Sequence, residues 1–204
     1  MTRRQTLFYR SGFALLVFAA LTQPLDGWAW THIAQSGETL EQLAVRYYGD
    51  LEKSMVIRAA NGFVHPDDGS VTPGERIEIP EVTYHRVGGD ETWEIIANQY
   101  LASPKRAVFL AKLNGYKRDK FPSEGTIITV PYHLRHIFAV GETIRSVVRL
   151  YYGKTRTIAW LRQYNLTRKT KFTRGDVLIV PLVKLGFTEQ EARRIQTIRS
   201  ARYS

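Results

Sequence analysis

The segment HIAQSGETL, residues 32–40, decides how this chain is organised, because related segments follow at HRVGGDETW, residues 85–93, and HIFAVGETI, residues 136–144. Counted from each His, Glu lies at +6, Thr at +7, Tyr at +15 and Asn at +29 in all three segments. Each copy then ends alike, with GERIEIP, GTIITVP or GDVLIVP. Successive copies begin 53 and then 51 residues apart. Internal repeats of this size indicate an array of small structural units.

Each repeat is predicted to form a βααβ unit. A short strand at the His leads through a glycine turn to a Thr that suits a helix N-cap, and Thr39 with Gln42 matches a capping box. A core-facing stripe follows at helical spacing, made of Leu40, Leu43, Ala44 and Tyr47, then Trp93, Ile96, Ala97 and Tyr100, then Ile144, Val147, Val148 and Tyr151. A second helix precedes the Asn, with predicted apolar faces at Val56, Ile57 and Ala60, at Val108, Phe109 and Leu113, and at Ile158, Trp160 and Leu161. The closing run reads as a strand that pairs antiparallel with the first.

This pattern resembles the LysM domain family. The resemblance is carried by H-x-V-x-x-G-[DE]-T-[LI], by the YYG at residues 47–49 and 151–153, by the Asn that ends the second helix, and by G-x-x-[LI]-x-[IV]-P. It covers residues 31–81, 84–132 and 135–182, which we call the first, second and third repeats. It implies an α+β fold of three tandem βααβ modules that bind glycans containing N-acetylglucosamine without catalysis.

In this family the sugar lies between the first strand–helix turn and the loop after the second helix. The resemblance therefore implies glycan contacts at Gly37, Glu38, Thr39, Leu40, Asn61, Gly62 and Phe63, at Asp90, Glu91, Thr92, Trp93, Asn114, Gly115 and Tyr116, and at Gly141, Glu142, Thr143, Ile144, Asn165, Leu166 and Thr167. The Asn residues also suit a structural role at a helix end. Phe63 and Tyr116 are the better candidates for contact with a sugar ring, and Trp93 is a further one.

The second repeat differs from the others at its turn. Asp90 stands where the other repeats have Gly37 and Gly141, and Asp adopts positive φ less easily than Gly does. Leu101-Ala102 replaces the Tyr-Gly helix end of the other repeats. We therefore expect the second repeat to bind glycan most weakly, although Trp93 and Tyr116 favour the opposite result. The short and equal linkers from Pro80 to His85 and from Pro131 to His136 predict a compact or rod-like array with little independent motion.

The two ends of the chain lie outside the repeats. Residues 1–29 are predicted to be a secretory signal peptide, with a basic start, a short apolar run from Gly12 to Leu21, and cleavage after Ala29. An uncleaved anchor is the alternative, and after cleavage no membrane span is expected. Residues 183–204 predict a short amphipathic, basic helix that begins with a capping box at Thr188. That helix either packs on its own domain or contacts an envelope protein or a membrane surface.

Composition narrows the choice of partner and chemistry. The chain has 204 residues, no Cys and a formal net charge of +10. The absence of Cys excludes disulfides and thiolate metal sites. The basic charge suits an acidic partner or serves solubility. Nucleic acid is not expected, because no nucleic-acid motif is present and the chain begins with an export signal. Carboxylates of peptidoglycan stems are the better match.

Catalytic and metal sites are not predicted, and no cofactor is expected. His32, His85 and His136 begin strands in separate repeats and are interpreted as framework residues. His133 and His136 form HxxH, but no third ligand is evident. Glu38, Glu91 and Glu142 precede helix starts, where a carboxylate suits the helix dipole. A glycosidase needs two facing carboxylates, and no further domain is available to build one.

The sequence thus supports two hypotheses about function. The first is an exported protein, periplasmic or bound to the cell wall, that binds peptidoglycan or another N-acetylglucosamine polymer through tandem modules. The second is a structural component of a cell-envelope machine, in which the same modules mainly contact protein.

Overall fold

A computed structural model describes residues 29–62, 69–153 and 158–201. Its strands are β1 (Ala29–Ile33), β2 (Arg76–Pro80), β3 (Thr83–Arg86), β4 (Ile127–Val130), β5 (Tyr132–Ile137) and β6 (Val177–Leu182). Its α-helices are α1 (Leu40–Tyr48), α2 (Ser54–Ala60), α3 (Trp93–Leu101), α4 (Ala107–Leu113), α5 (Ile144–Tyr152), α6 (Ile158–Tyr164) and α7 (Glu189–Ala201). The predicted signal peptide, apart from Ala29, and the predicted sugar contact Phe63 lie outside the described residues.

The strands form three separate antiparallel pairs, β1 with β2, β3 with β4 and β5 with β6. Two α-helices lie between the strands of each pair. The three repeated histidines occupy equivalent places, because His32 lies opposite Ile77, His85 opposite Ile128 and His136 opposite Leu178. The protein is therefore of mixed helix and strand class.

The first helix of every repeat begins at its Thr. The Thr39 side chain accepts a hydrogen bond from the Gln42 N–H, and Gln42 bonds back to the Thr39 N–H, which completes the predicted capping box. Thr143 and Ser146 form the same box in the third repeat. Thr92 caps α3 by accepting from the Ile95 N–H. Each helix start is thus fixed by local hydrogen bonds.

The same helices end in left-handed backbone. Gly49 and Gly153 adopt φ of 68° and 65° at the ends of α1 and α5. In the second repeat Ala102 takes this place with φ of 54°. A residue with a Cβ is strained in this region, whereas glycine is not.

We expect Ala102→Gly to raise the free energy of unfolding by about 0.5–1 kcal/mol, since relief of left-handed strain outweighs the added freedom of the unfolded chain. Ala102 is exposed, so the substitution removes no core contact. Urea unfolding of the full chain measures the change, with Gly49→Ala as the reverse substitution at the matching position. A less stable Ala102→Gly protein, or a more stable Gly49→Ala protein, would contradict this explanation of the helix ends.

The core is divided unevenly between the repeats. Buried residues of the first and third repeats form one continuous cluster, whereas those of the second repeat form a cluster of their own. A hydrogen bond also joins strands β2 and β5, since the Tyr132 hydroxyl donates to the Glu78 carboxylate at 2.6 Å. A rod in which only consecutive repeats touch is therefore wrong.

The predicted apolar face of α4 is also wrong in part. The residues that α4 buries are Ala107, Leu110 and Ala111. Val108 is 44% exposed, and Phe109 packs against Trp160 of the third repeat. The helical spacing of the larger apolar residues led to their assignment to the core. At this position α4 packs closely and buries two alanines instead.

The helix α7 packs on the first repeat, although it follows the third in sequence. The Thr188 N–H donates to the Tyr47 carbonyl at 2.7 Å, and the Thr188 hydroxyl donates to the Arg46 carbonyl at 3.1 Å. These bonds occupy carbonyls at the end of α1 that have no partner within the helix. Ile195 is buried, and the Phe187 ring lies 5.6 Å from that of Tyr47. One face of the predicted amphipathic helix is thus used within the chain.

A buried carboxylate holds this helix in place. Glu191 is 5% exposed and accepts hydrogen bonds from Arg46 Nε at 2.8 Å and Arg194 Nε at 2.6 Å. Burial raises the pKa of Glu191, but hydrogen bonds from the two guanidinium groups outweigh it and leave the pKa below its usual value. The ionised carboxylate therefore stabilises the docked helix, and this contribution is lost as pH falls through the lowered pKa.

We expect Glu191→Gln to lower the free energy of unfolding by about 1 kcal/mol, because the partly exposed arginines lose their ionised partner. Cleavage by a protease at the C-terminal helix should also become faster. Glu189→Gln is the matched control, since Glu189 is 80% exposed and pairs with Arg193 on the outer face of α7. Equal effects of the two substitutions would show that α7 is not held through Glu191.

Candidate functional site

A hydrogen-bonded group of His, Glu and Tyr recurs in every repeat. His32 Nδ1 lies 3.0 Å from the Tyr47 hydroxyl, and His32 Nε2 lies 2.7 Å from the Glu38 carboxylate. The corresponding distances are 3.0 and 2.7 Å for His85 with Tyr100 and Glu91, and 3.1 and 3.1 Å for His136 with Tyr151 and Glu142. An ionised carboxylate only accepts, so Nε2 carries a proton, and in the neutral ring Nδ1 accepts from the tyrosine. This group explains the spacings of 6 and 15 residues in the sequence and identifies the histidines as framework residues.

The same glutamates hold the turn that precedes the helix. Glu38 accepts from the Gln35 N–H at 2.7 Å, and its own N–H donates to the Gln35 carbonyl at 3.3 Å. Burial raises the pKa of Glu38, but bonds from His32 and from the Gln35 N–H outweigh it and lower the pKa. The pKa of Glu91 is also lowered, mainly by the hydrogen bond from the Gly88 N–H and further by His85. Glu38 and Glu91 are therefore ionised structural acceptors.

The turn of the second repeat keeps these bonds without a glycine at its third position. Gly37 and Gly141 have φ of 80° and 79°, whereas Asp90 has no positive φ. Even so, Glu91 accepts from the Gly88 N–H at 2.7 Å, and the Glu91 N–H lies 3.5 Å from the Gly88 carbonyl. Positive φ at this position distinguishes a type II turn from a type I turn. The backbone strain that we expected at Asp90 is thus absent. The main reason for expecting the second repeat to bind glycan most weakly is therefore lost.

The repeated Asn residues join the second helix to the closing strand. Asn61 Nδ2 donates to the Ile57 carbonyl at 2.7 Å and to the Glu78 carbonyl at 2.8 Å, and Oδ1 accepts from the Glu78 N–H at 2.8 Å. Asn114 and Asn165 make the same three bonds, to Leu110 and Thr129 and to Leu161 and Ile179. Both amide donors are used, so none remains for a sugar. We call this arrangement the Asn clamp.

In the first repeat, the backbone groups at the start of the first helix already have hydrogen-bond partners. The Leu40 N–H donates to the Gly69 carbonyl at 2.8 Å, and the Val71 N–H donates to the Glu38 carbonyl at 3.4 Å. Gly69 has φ of 73°, and a Cβ there would lie 2.3 Å from the Glu41 carboxylate. The chain itself therefore closes the first groove, through residues 69–71.

The equivalent groups are open in the other two repeats. Among the residues that the structure describes, neither the Trp93 N–H nor the Ile144 N–H has a hydrogen-bond partner, and neither the Glu91 nor the Glu142 carbonyl accepts a bond. Each of these repeats thus presents one donor and one acceptor at the place where the first repeat binds its own loop. The loops differ in length, with 13 residues from Asn61 to Gly74, 11 from Asn114 to Gly125 and 10 from Asn165 to Gly175. The longest loop belongs to the closed groove.

Aromatic residues hold the shorter loops in place. The Trp93 indole donates to the Lys120 carbonyl at 2.8 Å, and its ring is 2% exposed beneath Tyr116 and Phe121. The idea that Trp93 stacks on a sugar is therefore wrong, because the ring lies in the core. In the third repeat the Phe172 ring stacks on the Phe138 ring, with 4.4 Å between the ring centres.

The remaining predicted residues divide between core and surface. Leu40 and Ile144 are buried, so only their backbone reaches the groove. Gly62 and Gly115 adopt positive φ after the Asn, and Leu166 does so at 51° while 51% exposed. Tyr116 is half-buried against Trp93, so part of its side chain remains exposed to solvent. Sequence reasoning missed residues 69–71, and the longer loop was the one signal that pointed to them.

The histidines of the HxxH sequence have separate partners. His133 contacts the Tyr164 hydroxyl, and His136 binds Tyr151 and Glu142. Within residues 29–62, 69–153 and 158–201, no group of three or more His, Cys, Asp or Glu residues is placed to hold a metal ion. In the same ranges, no helix combines the length and apolar character needed to cross a bilayer.

Comparison with known proteins finds one family model that is similar to part of this chain. Residues 32–80 match the model of the LysM domain. Two Mycobacterium tuberculosis proteins from different strains, each named an esterase, are 29% identical to 123 residues, which is 60% of this chain. The chain spans about a quarter of their length, 26% in each case.

Two solved structures are also similar to this chain. The ectodomain of a receptor-like kinase is 14% identical with a TM-score of 0.24, and the match covers 78% of this chain and 93% of that one. The LYK3 ectodomain is 15% identical with a TM-score of 0.25, and the match covers 78% of this chain and 92% of that one.

Proposed function

We propose that this protein binds a glycan containing N-acetylglucosamine, without catalysis, through LysM modules in its second and third repeats. The LysM match of residues 32–80 supports the family assignment. The His, Glu and Tyr group and the Asn clamp extend the same framework to the other two repeats.

One observation carries the proposal, namely the unpaired backbone donor and acceptor in each open groove. An acetamide has one carbonyl and one N–H, so it satisfies the Trp93 N–H with the Glu91 carbonyl, or the Ile144 N–H with the Glu142 carbonyl. Backbone groups that lack partners gain most from such a ligand. The first repeat already satisfies its pair through Gly69 and Val71, and it therefore acts as scaffold.

Peptidoglycan is the polymer that we favour. The chain carries a formal charge of +10, and peptidoglycan stems carry carboxylates that complement it. An exported protein meets this polymer in the periplasm or the cell wall, which agrees with the signal predicted for residues 1–29. We further propose that the segment shared with the two esterases is a binding region, because Glu38, Glu91 and Glu142 all serve the framework.

Two linked sites should bind long glycans more tightly than short ones. Joining sites raises the effective concentration, and the avidity gain is about 10²-fold or more where geometry permits. We expect the full chain to bind a polymer of N-acetylglucosamine at least about 10²-fold more tightly than a short oligomer that fills one groove. Isothermal titration with soluble oligomers of increasing length measures this, and equal affinity for all lengths would exclude two cooperating grooves.

A pull-down on purified sacculi tests the proposed function as a whole. The mature protein should sediment with sacculi, and soluble N-acetylglucosamine oligomers should release it. A protein that remains wholly in the supernatant would refute glycan binding. That result would favour the alternative, a structural part of an envelope machine, for which the closed first groove provides the specific support.

A further inference from the structure

A cleft lies where the second and third repeats meet, between α4 and α6. Its volume is about 140 Å³, and its lining includes Lys105, Val108, Phe109, Lys112 and Trp160. It is distinct from the grooves described above, which lie at the helix starts after the His-containing strands. We call it the inter-repeat cleft.

Aromatic rings form the wall of this cleft. Phe109 lies 4.9 Å from Trp160 and 4.7 Å from Tyr164, ring centre to ring centre. Arg106 is fixed behind them, because its Nε donates to the Tyr164 carbonyl at 2.9 Å and its guanidinium lies 4.8 Å above the Tyr164 ring. Val108 adds an exposed apolar side chain. The wall is therefore rigid and apolar.

The rim of the cleft is cationic. Lys105 and Lys112 are exposed, and among the described residues neither ammonium group has a hydrogen bond or an ion pair. Lys105 lies in the 3₁₀ turn Pro104–Arg106 that leads into α4, and Lys112 lies in α4 seven residues later, which places them roughly 10 Å apart along the helix axis. Among the residues that the structure describes, none that lines the cleft is acidic. A ligand that carries an anionic group beside an apolar group would therefore complement the cleft.

We propose that the inter-repeat cleft binds the peptide stem of peptidoglycan, with stem carboxylates at Lys105 and Lys112 and aliphatic groups against Trp160 and Phe109. This proposal rests on the proposed function, since it adds a peptide site to a glycan-binding protein. A cleft of 140 Å³ is smaller than the roughly 300 Å³ and above of ordinary ligand pockets. It therefore suits one or two amino-acid residues rather than a sugar chain or a nucleotide.

The stem has the chemistry that this geometry requires. Its γ-linked D-glutamate and its diaminopimelate each carry a free carboxylate, and short aliphatic chains separate them. Two carboxylates can thus reach two ammonium groups while the chain between them covers the aromatic wall. Exposed ion pairs of this kind are individually weak, and therefore the apolar contact contributes to specificity.

Titration of the full chain with the stem tripeptide L-Ala–γ-D-Glu–diaminopimelate tests the cleft. We expect the wild type to bind it and the double variant Lys105→Gln with Lys112→Gln to bind about tenfold more weakly. Both lysines are exposed, so folding should persist. The matched control is Arg135→Gln with Lys184→Gln, which removes two exposed, unpaired charges elsewhere and should change affinity by less than about twofold.

Binding to N-acetylglucosamine oligomers, measured in parallel, separates the two proposals. If the oligomers bind and the tripeptide does not, the cleft assignment fails and the proposed function stands. If neither binds, both fail. Equal tripeptide binding by the wild type and the Lys105 and Lys112 double variant also overturns the assignment. So does displacement of the tripeptide by anionic phospholipid vesicles or duplex DNA at similar charge concentration, since it would indicate a general anion site.

Discussion

Replacement of Asn165 by Ala should lower the free energy of unfolding by about 3 kcal/mol. The substitution removes two donated bonds, to the Leu161 and Ile179 carbonyls, and one accepted from the Ile179 N–H. Backbone groups of the closing strand β6 are then left without partners in a half-buried position, which costs more than a bond lost to water. Chemical unfolding of the full chain measures the change.

Asn165→Asp separates the parts of this effect. Aspartate keeps the acceptor for the Ile179 N–H but places an oxygen beside two carbonyls, so it should destabilise at least as much as alanine. Thr167→Ala in the adjacent loop is the control and should cost less than about 0.5 kcal/mol. If Asn165→Ala left stability unchanged but abolished glycan binding, Asn165 would be a ligand contact rather than a clamp.

Acidification should also destabilise the protein strongly, through His133. Burial, with a smaller effect of the nearby Arg106 cation, lowers the pKa of His133 to about 4 from its ordinary value of 6.5. The unfolded chain therefore takes up the proton first as pH falls. The stabilising contribution is fully present above pH 6.5, declines as pH falls below 6.5, and is lost by about pH 4. It amounts to roughly 3 kcal/mol.

His133→Phe identifies the group responsible for this pH dependence. Phenylalanine retains an aromatic ring against Tyr164, whose ring lies 5.5 Å from that of His133, but it does not titrate. Thermal unfolding between pH 7 and pH 4 should show a much steeper loss of stability for the wild type than for the variant. Parallel curves for the two proteins would show that His133 is not the acid-labile group.

The repeat unit was predictable from sequence because its determinants are local. Each His, Glu and Tyr is spaced so that a strand end, a turn and one helix bring the three side chains together. The caps at Thr39, Thr92 and Thr143 follow from the same local chemistry. A pattern that repeats three times also separates framework residues from residues specific to one copy.

Contacts between repeats could not be predicted in this way. Helix α7 bypasses the third repeat to reach α1, and nothing within residues 183–204 encodes which repeat it meets. The interface role of Phe109 depends on Trp160, about 50 residues away in sequence. The closed first groove depends on backbone bonds from residues 69–71, which carry no side-chain signature.

Backbone amide shifts of the full chain, measured by NMR during titration with an N-acetylglucosamine oligomer, test the central claim most directly. The Trp93 and Ile144 amides should shift with saturation, because their N–H groups receive the acetamide carbonyl. The Leu40 amide should not move, because the Gly69 carbonyl already holds it. A saturating shift at Leu40 without shifts at Trp93 and Ile144, or no shift at any of the three, would contradict the account.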